Sequence, residues 1–331
     1  MNIKSLSLPI PYNPAMESTD SSKIQTAQSC LRLFFFEHGL GWKSARPSNH
    51  LHFGKCAHSA LEHLYKNGYS AKTVMDAFEI FNTDYRLLFP EQTDILYYPK
   101  TPATFFNLLT GYVQQYADDF SKYEVLRTEF GGTIVLDPQV LDANGLPFYT
   151  LTFKMDTVLR KRLNGHILSH EHKTKQGNYI DKYFEYSHLM GIQGGTYNHV
   201  LNCLYDPLLV DGIEINCLCF KKTKQPDFIL KRFSLNFTQS FMWSWLNNVK
   251  SWLDFIWNEY QYLCEHKDSD DLLRAFPRNG RACTNWGRLC PFINYCLNVN
   301  NPLQSIDRLP ADFKVEFWNP LDEELTETLT L

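Results

Sequence analysis

The sequence predicts an α/β fold: a central mixed sheet flanked by helices, with a helical annex closed by cysteines. Three observations carry this. Residues 23-122 follow a helical period, whereas residues 123-236 switch to runs of Val, Ile, Thr, Phe and Tyr broken by turn signals. Cys30 stands alone near the start, and Cys283, Cys290 and Cys296 crowd together about 250 residues later.

In chain order, residues 1-22 read as a polar, Pro-containing and flexible segment. Helical patterns follow at 23-38, 54-67, 70-89 and 102-121. Strands are expected at 123-130, 132-141, 148-160 and 166-173. Asp142-Ala143-Asn144-Gly145 and Lys161-Arg162-Leu163-Asn164-Gly165 are turn signals between them. A helix at 181-203, strands at 212-221 and 227-235, and a long aromatic-rich helix at 237-266 complete the pattern, with Lys267-Asp268-Ser269-Asp270-Asp271 as its break. The organisation expected is a helical region over 23-122, a sheet core over 123-236, a helix and cysteine segment over 237-300, and a loosely ordered acidic tail over 301-331.

With 331 residues, 44% of them hydrophobic and 15% aromatic, the chain can bury one large core or a core plus an annex. Residues 1-20 hold no apolar run of signal-peptide length, and no stretch approaches the roughly 18-20 apolar residues of a membrane span, so a cytoplasmic protein is expected. Nine cysteines in a reducing compartment point to metal or redox chemistry rather than disulfides. The net charge of -4 hides an uneven distribution. Lys154, Arg160, Lys161, Arg162, Lys173 and Lys175 surround only Asp156 and Glu171, and Lys221, Lys222, Lys224, Lys231 and Arg232 form a second basic run. Acid gathers in the tail, at Asp312, Glu316, Asp322, Glu323, Glu324 and Glu327.

Residues two apart on a strand share a face, so Glu171 and Lys173 point together while His170 and His172 point away. If the turn at 161-165 joins two strands as a hairpin, Asp156 comes opposite or diagonal to Glu171. Two carboxylates so placed suit Mg²⁺ or Mn²⁺, and Lys173 beside them could orient or deprotonate a water, or stabilise a pentacoordinate phosphorane. Four thiolates from Cys30, Cys283, Cys290 and Cys296 suit a [4Fe-4S] cluster or a tetrahedral zinc ion equally. Cys217 and Cys219, the Phe34-Phe35-Phe36 run and Trp243, Trp245, Trp252 and Trp257 read as core.

The Asp156 … Glu171-His172-Lys173 arrangement resembles the PD-(D/E)xK nuclease superfamily, and implies a restriction-endonuclease-like fold with Asp156, Glu171 and Lys173 as catalytic residues. Gly54-Lys55-Cys56-Ala57-His58 is similar to the Gly-x-x-x-His helix of RecB-type nucleases, which implies His58 as a further metal ligand and the His172 backbone carbonyl as another. Gln193 and Tyr197 match the Gln-x-x-x-Tyr motif of the same group, implying a face toward DNA, with Lys175 and Arg160 as further DNA contacts. Glu129 sits where this group often carries a glutamate on the preceding strand. Cys30-Leu31-Arg32-Leu33-Phe34 resembles the Cys-Pro-Arg-x-Phe/Tyr opening of one RecB-like branch, bringing Arg32 into the motif, and Cys290 … Cys296 resembles its closing pair. Cys283 departs from the branch, with six residues before Cys290 where two are usual. The resemblance to the RecB/AddB C-terminal and CRISPR-associated exonucleases favours iron over zinc. It implies a DNA exonuclease acting on single strands or ends, partnered by a helicase, recombination or CRISPR component. The alternatives are an inactive nucleic-acid-binding subunit and a zinc-stabilised DNA-binding protein.

Overall fold

The computed structural model describes the chain apart from residues 223–226, 267–270, 288, 307, 323–324, 326–327 and 331. Lys224, the helix break at 267–270, Arg288 in the cysteine segment, and Glu323, Glu324 and Glu327 of the expected tail therefore lie outside the described residues.

The strands in chain order are β1 (Trp42–Ser44), β2 (Tyr123–Leu141), β3 (Pro147–Lys161), β4 (Ile167–Gln176), β5 (Val210–Phe220), β6 (Phe228–Leu235), β7 (Phe313–Val315) and β8 (Thr328–Thr330). Six of them form one mixed sheet in the order β6-β5-β4-β3-β2-β8, and β1 pairs with β7 separately. Within the sheet β4 runs parallel to β5 and β2 to β8, while the other neighbours are antiparallel. The helices are α1 (Ser21–Ser29), α2 (Leu31–Phe34), α3 (Asn49–Asn67), α4 (Ala71–Arg86), α5 (Asp94–Tyr97), α6 (Pro102–Gln115), α7 (Asp119–Lys122), α8 (Lys182–Leu189), α9 (Ile192–Leu204), α10 (Gln239–Glu265) and α11 (Ile293–Asn298).

The alternation of β5 sorts these helices onto two faces. Leu218 and Phe220 join Leu230 in a cluster with Phe53, Leu61 and Phe81 from α3 and α4, and Phe105 and Tyr112 from α6. Ile213, Ile215, Cys217 and Cys219 point the other way, into a core with Ile24 of α1, Val200 of α9 and Leu253 of α10. The parallel step from β4 to β5 needs a crossover, and α8 and α9 supply it. Gly195 of α9 is fixed by close approach, because a Cβ there would lie 2.3 Å from the Trp245 ring of α10.

The hairpin expected between Asp156 and Glu171 forms. Gly165 adopts φ +76 and its N–H closes the turn on Lys161 O at 2.8 Å, which sets the β3–β4 register.

Several expectations are corrected. Residues 123-130 and 132-141 are one strand: Gly131 and Gly132 pair with Lys154 and Phe153 in unbroken register, and the register shifts fall at Val125/Arg127, Val135/Asp137 and Asp137/Leu141. The helix at 23-38 breaks where Cys30 is extended, and the helix at 181-203 breaks at Gly191, whose extended backbone starts a new helix. The flexible start over 1-22 gives way to packing: Ile3, Ile10 and Met16 are buried, and the Met1 amino group donates to Phe148 O at 3.1 Å. Within 301-331, the described stretches include β7 and β8, each added to the edge of another strand. Phe34, Phe35, Phe36 and Trp245 are buried as expected, whereas Trp243 is exposed.

Candidate active site

Three acidic residues fall in one row across three strands. The pairs Thr128↔Thr157 and Phe130↔Met155 flank Glu129 and Asp156, which therefore face each other across β2 and β3. On the other side of β3, the pairing ends at Thr157↔His170, and one further step in that register sets Asp156 across from Glu171. All three carboxylates are buried. Glu129 also holds φ +42, a left-handed conformation costing a non-glycine residue about 1 kcal/mol or more, and such outliers concentrate at functional sites.

The α3 helix brings a fourth donor over this row. Ser48 caps it through a bond from Leu51 N, and its buried stripe of Phe53, Cys56, Ala57, Ala60, Leu61 and Leu64 lays it on the sheet. This seat carries the His58 Nδ1 to 3.0 Å from Asp156 Oδ1. The other Asp156 oxygen accepts the His172 backbone N–H at 2.7 Å. Ligand atoms of His58, Glu129 and Asp156 all lie within 4.8 Å of one another, and Glu171 Oε2 is buried without a hydrogen-bond partner.

Electrostatics in the row are strained. Burial alone would lift the Asp156 carboxyl, but His58 and the His172 amide hold it well below the usual range. Burial would lower His58, yet Asp156 raises it to about 9. Burial and then the Asp156 charge push Glu129 and Glu171 each to about 7, opposed by His58 and Lys154 for the first and chiefly by Lys173 for the second. Buried oxygens this crowded, one of them bare, fit a divalent cation.

Lys173 is held on two sides. Its Nζ donates to Glu171 Oε1 at 2.6 Å and to Gln193 Oε1 at 2.8 Å, Gln193 Nε2 donates to Tyr197 OH at 2.9 Å, and Tyr197 OH donates to Lys154 O. Gln193 and Tyr197, expected to face DNA, thus turn inward to Lys173; the four-residue spacing that pairs them also lays them on the sheet side of α9. Arg160 is four residues from Asp156, about 13 Å along the strand, pairs with Glu124, and does not line the cleft described below. Lys175 sits 4.4 Å over the Phe184 ring instead of lining the cleft.

The neighbouring histidines have other partners. Arg232 has only donors, so it meets Asn216 at Oδ1 (3.3 Å), which turns Asn216 Nδ2 toward Tyr112 OH (2.7 Å) and His172 Nδ1 (2.9 Å). His172 Nδ1 therefore accepts and its ring proton sits on Nε2, which removes the ring as a metal ligand. Burial pushes it down to about 3. His170 lies between Tyr65 OH and Glu214, each at 2.8 Å.

A cleft of about 1320 Å³ opens over the row, lined by His58, Glu129, Lys154, His172 and Lys173, by Lys55, Lys100 and Lys222, and by the acidic Glu62, Asp84 and Asp322. Sequence reasoning did not single out Lys154 and Lys100 as site residues. Lys154 ion-pairs with Glu129 at 3.0 Å, and its place two residues before Asp156 was the available signal. Lys100 bonds Thr174 Oγ1 at 3.0 Å from a distant loop, which no local pattern announces.

A family model for the PD-(D/E)XK nuclease superfamily matches residues 21–296. The chain belongs to this superfamily. It is also similar to a crystal structure from Eubacterium rectale bearing the name "Putative exonuclease", at 13% identity and a TM-score of 0.44, over 77% of this chain and 90% of that one. No curated protein matches it. Superfamily membership makes this a nuclease fold, and the row on β2, β3 and β4 holds Glu129, Asp156 and Glu171 with Lys173 beside them.

Asn279 links two of the four cysteines, taking a bond from Cys283 Sγ at its carbonyl (3.9 Å) and giving one to Cys30. Asn279 N donates to Cys30 Sγ at 3.4 Å, and its side chain donates to Ser29 O at 2.7 Å. Cys290 N donates to Cys283 O at 2.8 Å. Arg32 is buried and donates to Phe276 O and Leu273 O, so it staples α2 to the C-terminal segment and does not reach the cleft. All four cysteines are free thiols of intermediate exposure. Burial raises Cys290, with the charges of Cys283 and Cys30 adding to it, and raises Cys296 to about 11. Such an environment disfavours bare thiolates. Among the described residues, no helix is long and apolar enough to cross a membrane.

Proposed function

We propose that this chain is a divalent-metal-dependent deoxyribonuclease, an exonuclease of the RecB/AddB C-terminal-like and CRISPR-associated exonuclease-like branch. The observation that carries the reading is the convergence of His58, Glu129 and Asp156 within 4.8 Å, in one row with the bare Glu171 Oε2. Asp156, Glu171 and His58, with the His172 carbonyl and Glu129, would hold Mg²⁺ or Mn²⁺. When bound, the ion acidifies a water and offsets the negative charge building on the phosphate.

The remaining work falls to the chain. Lys173, clamped between Glu171 and Gln193, acts as a fixed positive charge beside the scissile phosphate, and the 2.6 Å contact with Glu171 favours that role over proton abstraction. Lys154 neutralises Glu129 and keeps it turned to the row. Lys55 and Lys222, which line the cleft, are the lysines offered to the DNA backbone.

In the same reading, residues 123–236 are the nuclease core, and 23–122 with 237–300 form the annex. A [4Fe-4S] cluster on Cys30, Cys283, Cys290 and Cys296 closes that annex, and its loop of about 250 residues couples folding to the cluster. Unwinding of duplex DNA falls to a helicase-type partner.

Digestion of 5′- and 3′-labelled single- and double-stranded DNA with Mn²⁺ tests the reading. It expects products released from one end by wild type and none from Asp156→Ala. Equal cleavage by both proteins, or no cleavage of any DNA by wild type in Mg²⁺ or Mn²⁺, contradicts it.

A further inference from the structure

We infer that the outer face of α8 is a stacking surface for the unpaired bases of single-stranded DNA entering the cleft. This rests on the deoxyribonuclease reading and names the form of substrate that site takes.

The helix buries none of its residues, which is unusual for an element inside a crossover. Its inner side is fixed: the Phe184 ring lies under Lys175 Nζ at 4.4 Å, Phe184 and His188 pack near Phe233, and Glu185 pairs with Lys231. The opposite side carries Tyr183 and Tyr186, 86% and 59% exposed. Tyr179, 66% exposed, precedes them and Met190, 69% exposed, follows. Steps of three and four residues place Tyr183, Tyr186 and the C-cap Met190 on one face, while Tyr179 lies in the segment that leads into the extended N-cap Asp181. A merely solvated face is ordinarily built of Lys and Glu, whereas two exposed tyrosines on this face, with a third exposed just before the helix, leave a large apolar area in water.

The place of the stripe identifies what covers it. Gln176, Gly177 and Asn178 line the cleft, and Tyr179 is the next residue. The cleft beside it holds Lys173 and Lys222. A polynucleotide with its phosphates on those lysines carries its bases outward, and a tyrosine ring stacks on any base regardless of sequence. A duplex keeps its base faces inside the helix, so the surface selects unpaired strand.

Fluorescence anisotropy tests this with a labelled oligodeoxythymidylate and a labelled hairpin duplex, in Mg²⁺ on the full-length Asp156→Ala background so that the strand is not consumed. Tyr179→Ala/Tyr183→Ala/Tyr186→Ala is expected to lose about tenfold or more in affinity for the single strand and little for the duplex, while the matching triple Phe variant keeps the parent affinity. Equal single-strand affinity of the triple Ala variant and its parent overturns the inference and leaves the nuclease reading standing. Absence of DNA binding by the parent overturns both. A parent dimer that the triple Ala variant dissociates assigns the face to a second copy, and also overturns it.

Discussion

His58 and Asp156 are 98 positions apart in the chain, and their side chains meet at 3.0 Å. The contact joins the helical annex to the sheet at the row where Glu129 and Glu171 also converge. Asp156→Asn removes the charge that lifts His58 and replaces one carboxylate oxygen of the row with an amide nitrogen. His58 should titrate near 9 in the metal-free wild type and clearly lower in the variant, as read by NMR of its ring. Cleavage should fall by about 10²–10³-fold or more. An unchanged His58 titration refutes the coupling.

Metal-free stability should depend on pH through the two raised glutamates. Unfolded, Glu129 and Glu171 ionise near 4.5; folded, each ionises near 7. The stability they contribute is whole below the unfolded value and is lost as pH rises through the folded one. Melting in EDTA should therefore decline from about pH 5 to about pH 8, and Glu171→Gln should flatten the decline. Added Mn²⁺ should raise the melting temperature more at the upper end, where ionised carboxylates accept it. A melting temperature indifferent to Mn²⁺ at the upper pH speaks against a cation site here.

The clamp on Lys173 makes Gln193 and Tyr197 positioning residues. Gln193→Leu should lower kcat by about 10–100-fold with little change in KM or melting temperature, because Lys173 keeps its place only through Glu171. A variant whose KM rises while kcat holds would return Gln193 to a DNA-contact role.

Asn216 is fully buried between Tyr112 and His172, and Arg232 donates to its oxygen. Asn216→Leu leaves several of these groups unpaired and should destabilise the fold by about 1–3 kcal/mol, measured by urea unfolding. A neutral effect would remove the network from the account of how His172 is oriented.

For the cysteines, Cys30→Ser and Cys296→Ser should each abolish broad absorption near ~400 nm in the purified protein and lower its melting temperature, consistent with a cluster that closes a long loop. A colourless wild type with stoichiometric zinc contradicts iron and leaves the tie itself in place.

Much of this was legible in the sequence where a short local pattern sufficed. The change of period at residue 123 marked the sheet, and the turn before Gly165 fixed Asp156 across from Glu171. The Trp42–Ser44, Phe313–Val315 and Thr328–Thr330 strands were not legible, since three residues carry no period and each depends on a distant partner. The inward turn of Gln193 and Tyr197 was hidden for a related reason: spacing places them on one helical face, but only packing on the sheet, helped by Gly195 against Trp245, decides which way that face looks. Lys100 reached the cleft from a loop, beyond any motif. His172 was discounted by strand alternation, and its bond from Asn216 gives the atomic reason.

The most direct test is anomalous diffraction from crystals soaked in Mn²⁺. The account predicts one strong peak bounded by His58, Glu129, Asp156 and Glu171 in wild type, and its loss in Asp156→Ala. A peak elsewhere, or none in a crystal whose cleft is open to solvent, contradicts it.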